Sequence, residues 1–235
     1  MIFPSQSQLD TFKACPGAIS VCEMVAIMNL AHQAPENGAC LDIGSHAGKS
    51  AMSAACGLRG GRELHCIDPI YDLTNRDAWS HSVDKVPENC SWTYAMDADF
   101  HANVLARIHA CNPMIVPNLH GDCSEHGIQR FEDIAWCFVD SDTHDYPLLK
   151  RECELLRTRM SVGGIIAFHD FASQFLAVER CYRELLDGWC YEEVGIPWHE
   201  IKDYVRSIGG ESGNESWHHT EMEFPAFVGA LRRIK

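Results

Sequence analysis

The segment Cys40-Leu-Asp-Ile-Gly-Ser-His-Ala-Gly-Lys-Ser50 constrains the fold of this 235-residue chain more than any other. A short apolar run closes on Asp42, a turn with Gly44 and Gly48 follows, and a small-residue helix opens at about Lys49. Strand, glycine loop and helix in that order form the opening unit of an open α/β sheet. There the loop brings backbone N–H groups and a helix N-terminus up to a ligand. Glycine serves because a Cβ would hold the main chain away. The unit predicts a nucleotide-like cofactor.

Three cofactor patterns compete for the loop. A dinucleotide fingerprint needs G-x-G-x-x-G, and Ser45-His46 stands where its middle glycine belongs. A phosphate-binding P-loop needs G-x-x-x-x-G-K-[ST]; Gly48-Lys49-Ser50 fits its end, but its first glycine would fall at Ile43, inside the strand. What remains is Asp42-x-Gly44-x-x-x-Gly48, which resembles motif I of class I S-adenosylmethionine (SAM) methyltransferases.

Composition is that of one enzyme-sized unit, 46% hydrophobic and 22% charged, with enough chain for one sizeable core. No apolar run reaches the roughly 20 residues that span a bilayer, and Met1-Ile-Phe-Pro-Ser-Gln lacks the pattern of a secretory signal. A cytoplasmic protein is expected. The formal charge of −14 argues against a general phosphate-backbone binder, so neither nucleic acid nor membrane is an expected partner. The twelve cysteines sit singly in apolar or helical segments without any C-x-x-C pair, which reads as reduced, buried thiols. His120-Gly-Asp-Cys123-Ser-Glu-His126 has zinc-like spacing but no fourth ligand nearby.

Strands and helices alternate along the chain. Ser20-x-x-Glu23 is a capping box opening a helix over about 20–33. Strands are predicted at about 39–43, 63–67, 114–118, 134–139 and 165–168. Helices are predicted at about 49–58, 97–110, 146–160 and 174–187, with a short one after Gly121-Asp122-Cys123-Ser124. The 70–96 stretch, with Trp79 and Trp92, is long for a connection and reads as a lid or substrate loop. Such alternation indicates a doubly wound, mostly parallel sheet with helices on both faces and no second core. Asp42, Asp68, Asp140 and Asp170 each close a predicted strand, and Asp122 lies just beyond another. Ligands of open α/β sheets bind outside those strand ends, so five acids on one edge predict a shared site. Any one of them could instead cap a helix.

The order of segments carries a fuller resemblance. Cys40–Ser50, Ile67-Asp68, Gly121-Asp122, Phe138-Val-Asp-Ser-Asp-Thr-His-Asp-Tyr146 and Gly163-Gly-Ile-Ile-Ala-Phe-His-Asp170 are similar to the macrocin-type and other antibiotic-sugar O-methyltransferases, a class I SAM methyltransferase group. The likeness runs over about residues 14–188, and Phe224–Arg232 resembles the antiparallel last strand of that seven-stranded, Rossmann-like fold. Ser141, the extra Thr143 and the segment 195–223 depart from the group's pattern.

The resemblance implies roles. Gly44 and Gly48, with Asp42, Ser45 and Ser50, would line the methionyl end of SAM. Asp68 would accept the ribose hydroxyls, and Asp122 with Cys123 would meet the adenine. Asp140, His169 and Asp170 would hold one divalent ion, Mg²⁺ by their oxygen ligands or Mn²⁺ by the imidazole, with Asp140 also bordering the cofactor. His144, whose ordinary pKa lies near neutrality, is the expected general base. The whole chain then reads as one methyltransferase domain with an N-terminal helical extension (1–38), acting on a hydroxyl of a small molecule such as a sugar or phenol. The N-terminal helix and the 195–223 insert are surfaces on which copies of the chain could pair. Two rival functions are a P-loop-like Mg-nucleotide hydrolase, since Trp136–Asp140 also resembles its metal-binding strand, and a non-catalytic SAM-binding module.

Overall fold

A computed structural model describes residues 1–17, 19–72, 98–141, 145–171, 175–188, 190–208 and 228–235. Seven strands form one sheet: β1 (Ala39–Ile43), β2 (Glu63–Ile67), β3 (Val116–His120), β4 (Ile134–Val139), β5 (Met160–Phe168), β6 (Tyr191–Glu193) and β7 (Gly229–Arg233). Their spatial order is β3-β2-β1-β4-β5-β7-β6. The first five are parallel, and β7 runs antiparallel to both β5 and β6. Chain order reverses between β1 and β4, which makes their C-terminal ends the crevice where an open sheet receives a ligand.

The helices are α1 (Gln6–Ala14), α2 (Val21–His32), α3 (Lys49–Gly57), α4 (Ala98–Cys111), α5 (Ser124–Gln129), α6 (Tyr146–Arg159), α7 (Leu176–Asp187) and α8 (Trp198–Ser207). Side chains alternate across a strand, and one apolar layer on each face of the sheet follows from that alternation. Cys40, Cys66, Phe138 and Ala167 pack towards α1–α4, while Leu41, Ile67, Val139 and Phe168 pack towards α5–α7. Every residue of β4 is buried, as expected of a central strand covered on both faces.

Ser20 caps α2 in the expected box, its hydroxyl accepting from the Glu23 N–H while Glu23 accepts from the Ser20 N–H. The helix is apolar nearly all round because it lies between the sheet and α8, whose Ile201 and Val205 pack on Cys22, Val25 and Ala26. No helix among the described residues is long and apolar enough to cross a membrane, and the described cysteines are all free thiols, most of them buried.

Three expectations need correction. The third strand begins at Val116, not 114, because Asn112 turns the chain back on itself, its carbonyl accepting from Ile115 N and its side chain from Met114 N. Pro117 then fits this strand because β3 is a sheet edge. The fifth strand starts at Met160, five residues early; α8 arises within the stretch read only as an insert, and β6 just before it. Most of the expected lid (73–97) and residues 209–227, with the start of the expected last strand, lie outside the described residues.

Candidate active site

The loop after β1 is held open by two left-handed glycines. Gly44 has φ +77°, and a Cβ on it would lie 1.9 Å from the Asp140 carbonyl oxygen, so the β1 and β4 loops touch at the switch point. Gly48, φ +86°, stands at the N-cap of α3, and a Cβ there would press on Val104 at 2.9 Å. Between them His46 also adopts positive φ (44°). Its N–H donates to Asp68 Oδ2 at 2.8 Å and its carbonyl accepts from the Tyr71 hydroxyl at 2.7 Å. Asp68 Oδ1 accepts from Ile70 N at 3.0 Å. One carboxylate thus ties the glycine loop to the segment after β2.

Asp42 does not face the rim. It is fully buried behind the loop, where Ser50 Oγ donates to its Oδ2 at 2.8 Å, and Oδ1 finds no hydrogen bond. Ser45 turns inward too, its hydroxyl donating to the Asp42 carbonyl at 2.7 Å. Burial pushes the Asp42 carboxyl up to about 7; the serine hydroxyls oppose this, and the nearby charges of Asp140 and Asp68 add to it. Lys49, the residue that would face a phosphate in a P-loop, instead donates to the Gly17 carbonyl at 3.2 Å and lies 4.6 Å above the Phe12 ring.

On the β3 side Asp122 is ion-paired to Arg130 at 2.7 Å, and Cys123 is exposed at the N-cap of α5. His120 points along the edge to His65 Nδ1, 3.1 Å away, and His120, Cys123 and His126 do not gather into a three-ligand group among the described residues. Sequence reasoning missed Glu152 of α6. It is wholly buried and accepts from the hydroxyls of both Ser124 and Ser141, joining the loops after β3 and β4. Burial raises its pKa, against the pull of the two serines.

Past the ends of β4 and β5, Asp140, His169 and Asp170 converge, with one ligand atom of each lying within 4.8 Å of the others. His169 Nδ1 lies 3.3 Å from Asp140 Oδ1 and 3.4 Å from Asp170 Oδ2, yet makes no hydrogen bond to either. Its Nε2 is 3.1 Å from Oε1 of Glu23, on α2. Burial by itself would lower the imidazole pKa, but Asp140, then Asp170 and Glu23, hold it well above the usual value. Asp170 has φ +55°, the turn that brings its carboxylate back towards the ring. A buried nitrogen without a hydrogen bond, faced by two carboxylates, is a donor set suited to a divalent cation. A small concavity lined by Val139, Asp140, Ser141, Phe168 and His169 adjoins the cluster. His144 and Asp142 lie outside the described residues.

The five acids thus share one sheet edge, four near the surface and Asp42 beneath them. A family profile described as a methyltransferase domain matches residues 41–171, more than half of the chain. Solved structures of the same fold include an O-methyltransferase from Bacillus cereus in complex with SAH, 12% identical, with 99% of this chain and 93% of that one covered and a TM-score of 0.55. Another is the O-methyltransferase TomG from Streptomyces achromogenes, involved in tomaymycin synthesis, in complex with SAM (12%, 100% and 92%, TM-score 0.53). A third is the calicheamicin methyltransferase CalS11 (17%, 90% and 77%, TM-score 0.52). At such identities the likeness is one of fold. No curated protein matches the chain in sequence. Sheet order, glycine loop and family match converge: the chain belongs to the methyltransferase-domain family, as a class I SAM-dependent methyltransferase.

Proposed function

We propose that the chain is a cytoplasmic, metal-assisted O-methyltransferase that acts on a hydroxyl of a small molecule such as a sugar or phenol. The observation that carries this reading is the Asp140–His169–Asp170 cluster, set one strand away from the glycine loop on the same rim. In this reading Gly44 and Gly48 let the main chain approach the methionyl end of SAM, over the Asp42–Ser50 bond that stiffens the loop. Asp68 accepts the ribose hydroxyls, and Asp122 and Cys123 flank the adenine. A divalent ion, bound by Asp140, His169 and Asp170, would polarise the acceptor hydroxyl and lower its pKa. His144, four residues beyond Asp140, takes the hydroxyl proton as the oxygen forms its bond to the methyl carbon. The carbon–sulfur bond breaks with its electron pair going to sulfur. Alignment of the two reactants supplies much of the rate, at most about 7–11 kcal/mol.

The acidic charge of the chain, −14, supports a small uncharged acceptor over RNA. Calorimetry with S-adenosylhomocysteine and with Mg·ATP tests the cofactor, and methyl transfer from labelled SAM to a panel of sugars, phenols and structured RNA tests the acceptor. Turnover on a hydroxylated small molecule that stops with chelator or in Asp140→Asn is expected. Binding of Mg·ATP without S-adenosylhomocysteine, or transfer to RNA alone, would overturn the reading.

A further inference from the structure

Glu23 is buried, 4% exposed, and both of its oxygens are engaged. Oε2 accepts from the Ser20 N–H at 2.7 Å, closing the capping box of α2. Oε1 lies 3.1 Å from Nε2 of His169, a residue 146 positions away in the chain. A capping carboxylate on the surface has no need of the second bond. Buried here, it leads from α2 to the rim of the sheet.

From this geometry we infer that Glu23 is a positioning residue for the metal centre: it keeps the proton of His169 on Nε2 and so turns the Nδ1 lone pair towards Asp140 and Asp170. The inference rests on reading those three residues as cation ligands. An ionised carboxylate only accepts, so the atom facing Oε1 must be N–H. In a neutral ring with its proton there, Nδ1 is the electron-pair donor, and it is the atom that stands 3.3 and 3.4 Å from the two aspartates without a hydrogen bond. A nitrogen lone pair facing two carboxylates is a set that a divalent cation can bridge. A carboxylate behind a ligating imidazole fixes ring orientation and strengthens the donor.

Glutamine cannot replace Glu23 in this role. It keeps the shape and suits the capping position, but only one of its two terminal atoms accepts. With the amide oxygen on the Ser20 N–H, the amide NH₂ faces Nε2, which must become the acceptor and send the ring proton to Nδ1. Glu23→Gln therefore preserves the helix cap and blocks the ligand atom. Ser20→Ala does the reverse, removing the hydroxyl of the box while leaving Glu23 against His169.

The test is Mn²⁺ binding, followed by the electron paramagnetic resonance of the free ion, in wild type, Glu23→Gln, Ser20→Ala and Asp140→Asn. Thermal unfolding and S-adenosylhomocysteine calorimetry serve as controls for the fold. Glu23→Gln is expected to bind Mn²⁺ about 10–100-fold more weakly, with S-adenosylhomocysteine binding unchanged, and Ser20→Ala to bind within about twofold of wild type. Two-bond ¹H–¹⁵N correlation on the Mg²⁺-loaded wild type should show the His169 proton on Nε2. Wild-type affinity in Glu23→Gln, or a proton on Nδ1 in the loaded wild type, overturns the role of Glu23 while loss of binding in Asp140→Asn leaves the metal site standing. Should wild type bind no Mn²⁺, or Asp140→Asn bind it unchanged, the metal-site reading falls and this inference falls with it.

Discussion

Asp42 offers the sharpest test of how the site is built, because its cost to the fold should appear as a pH dependence with a definite sign. The carboxyl is fully buried, has one hydrogen-bonded oxygen and one without a bond, and titrates near 7 in place of 3.8. Below about pH 4 the group is protonated whether the chain is folded or not. As pH rises towards 7 the unfolded chain gives up this proton while the folded one keeps it, so the folded state binds more protons and loses stability. Above the folded value the full cost is present. A rise of roughly three pH units at about 1.36 kcal/mol each comes to ~4 kcal/mol. Asn at this position cannot ionise, and its side-chain oxygen can still accept from Ser50. Urea unfolding of wild type and Asp42→Asn from pH 4.5 to 8 isolates the effect, because the other titrating groups cancel in the difference between the two proteins. Asp42→Asn is expected to gain on wild type from pH 4.5 to about pH 7, by ~3 kcal/mol within that window, and to level off above it. A difference that stays flat to within about 0.5 kcal/mol would refute the reasoning, and with it the picture of a strained acid beneath the cofactor loop.

Three further outcomes can be checked together. Gly44→Ala should cost far more than Gly61→Ala: both glycines have φ near +76°, but a Cβ at Gly61 meets nothing while one at Gly44 meets the Asp140 carbonyl. Gly61→Ala then reports backbone strain alone, about 1–2 kcal/mol, and equal melting temperatures for the two would contradict the contact. Asp68→Ala removes the acceptor for two backbone N–H groups and should weaken S-adenosylhomocysteine binding by roughly 10–100-fold, since bonds to a charged group are worth about 1.5–3 kcal/mol; unchanged affinity by calorimetry would exclude it from the cofactor site. Glu152→Leu leaves the hydroxyls of Ser124 and Ser141 without their acceptor and should lower unfolding free energy by about 1–3 kcal/mol, which denaturant titration reads directly.

The parts of the fold that were legible are those where a single pattern admits one solution. Central strands covered on both faces are short apolar runs between turns, and β1, β2 and β4 appear with the expected ends. Ser20 and Glu23 mark the start of α2 because capping is local chemistry. The edge strand β3 was displaced by two residues because its outer positions are exposed and Met114 and Ile115 extend the apolar run into a turn. The insert hid α8, although Trp198, Ile201 and Val205 recur at helical spacing and two of them are buried against α2. At the site, strand-end acids could be placed on one edge from sequence, but their directions could not. That Asp42 points beneath the loop, or that Glu23 meets His169, depends on side-chain orientation and on contacts between distant segments. Neither leaves a periodic mark.

The position of α2 has a bearing on where this domain begins. The family profile starts at residue 41, inside β1, yet the strands of that core rest against a helix that ends at His32 and is itself roofed by residues 198–207. A shortened protein cut at the homology boundary would uncover the part of the core that α1 and α2 cover and forfeit Glu23. The stretch matched by kinship and the stretch that packs together are therefore different lengths of chain, and the second draws on residues to either side of the first.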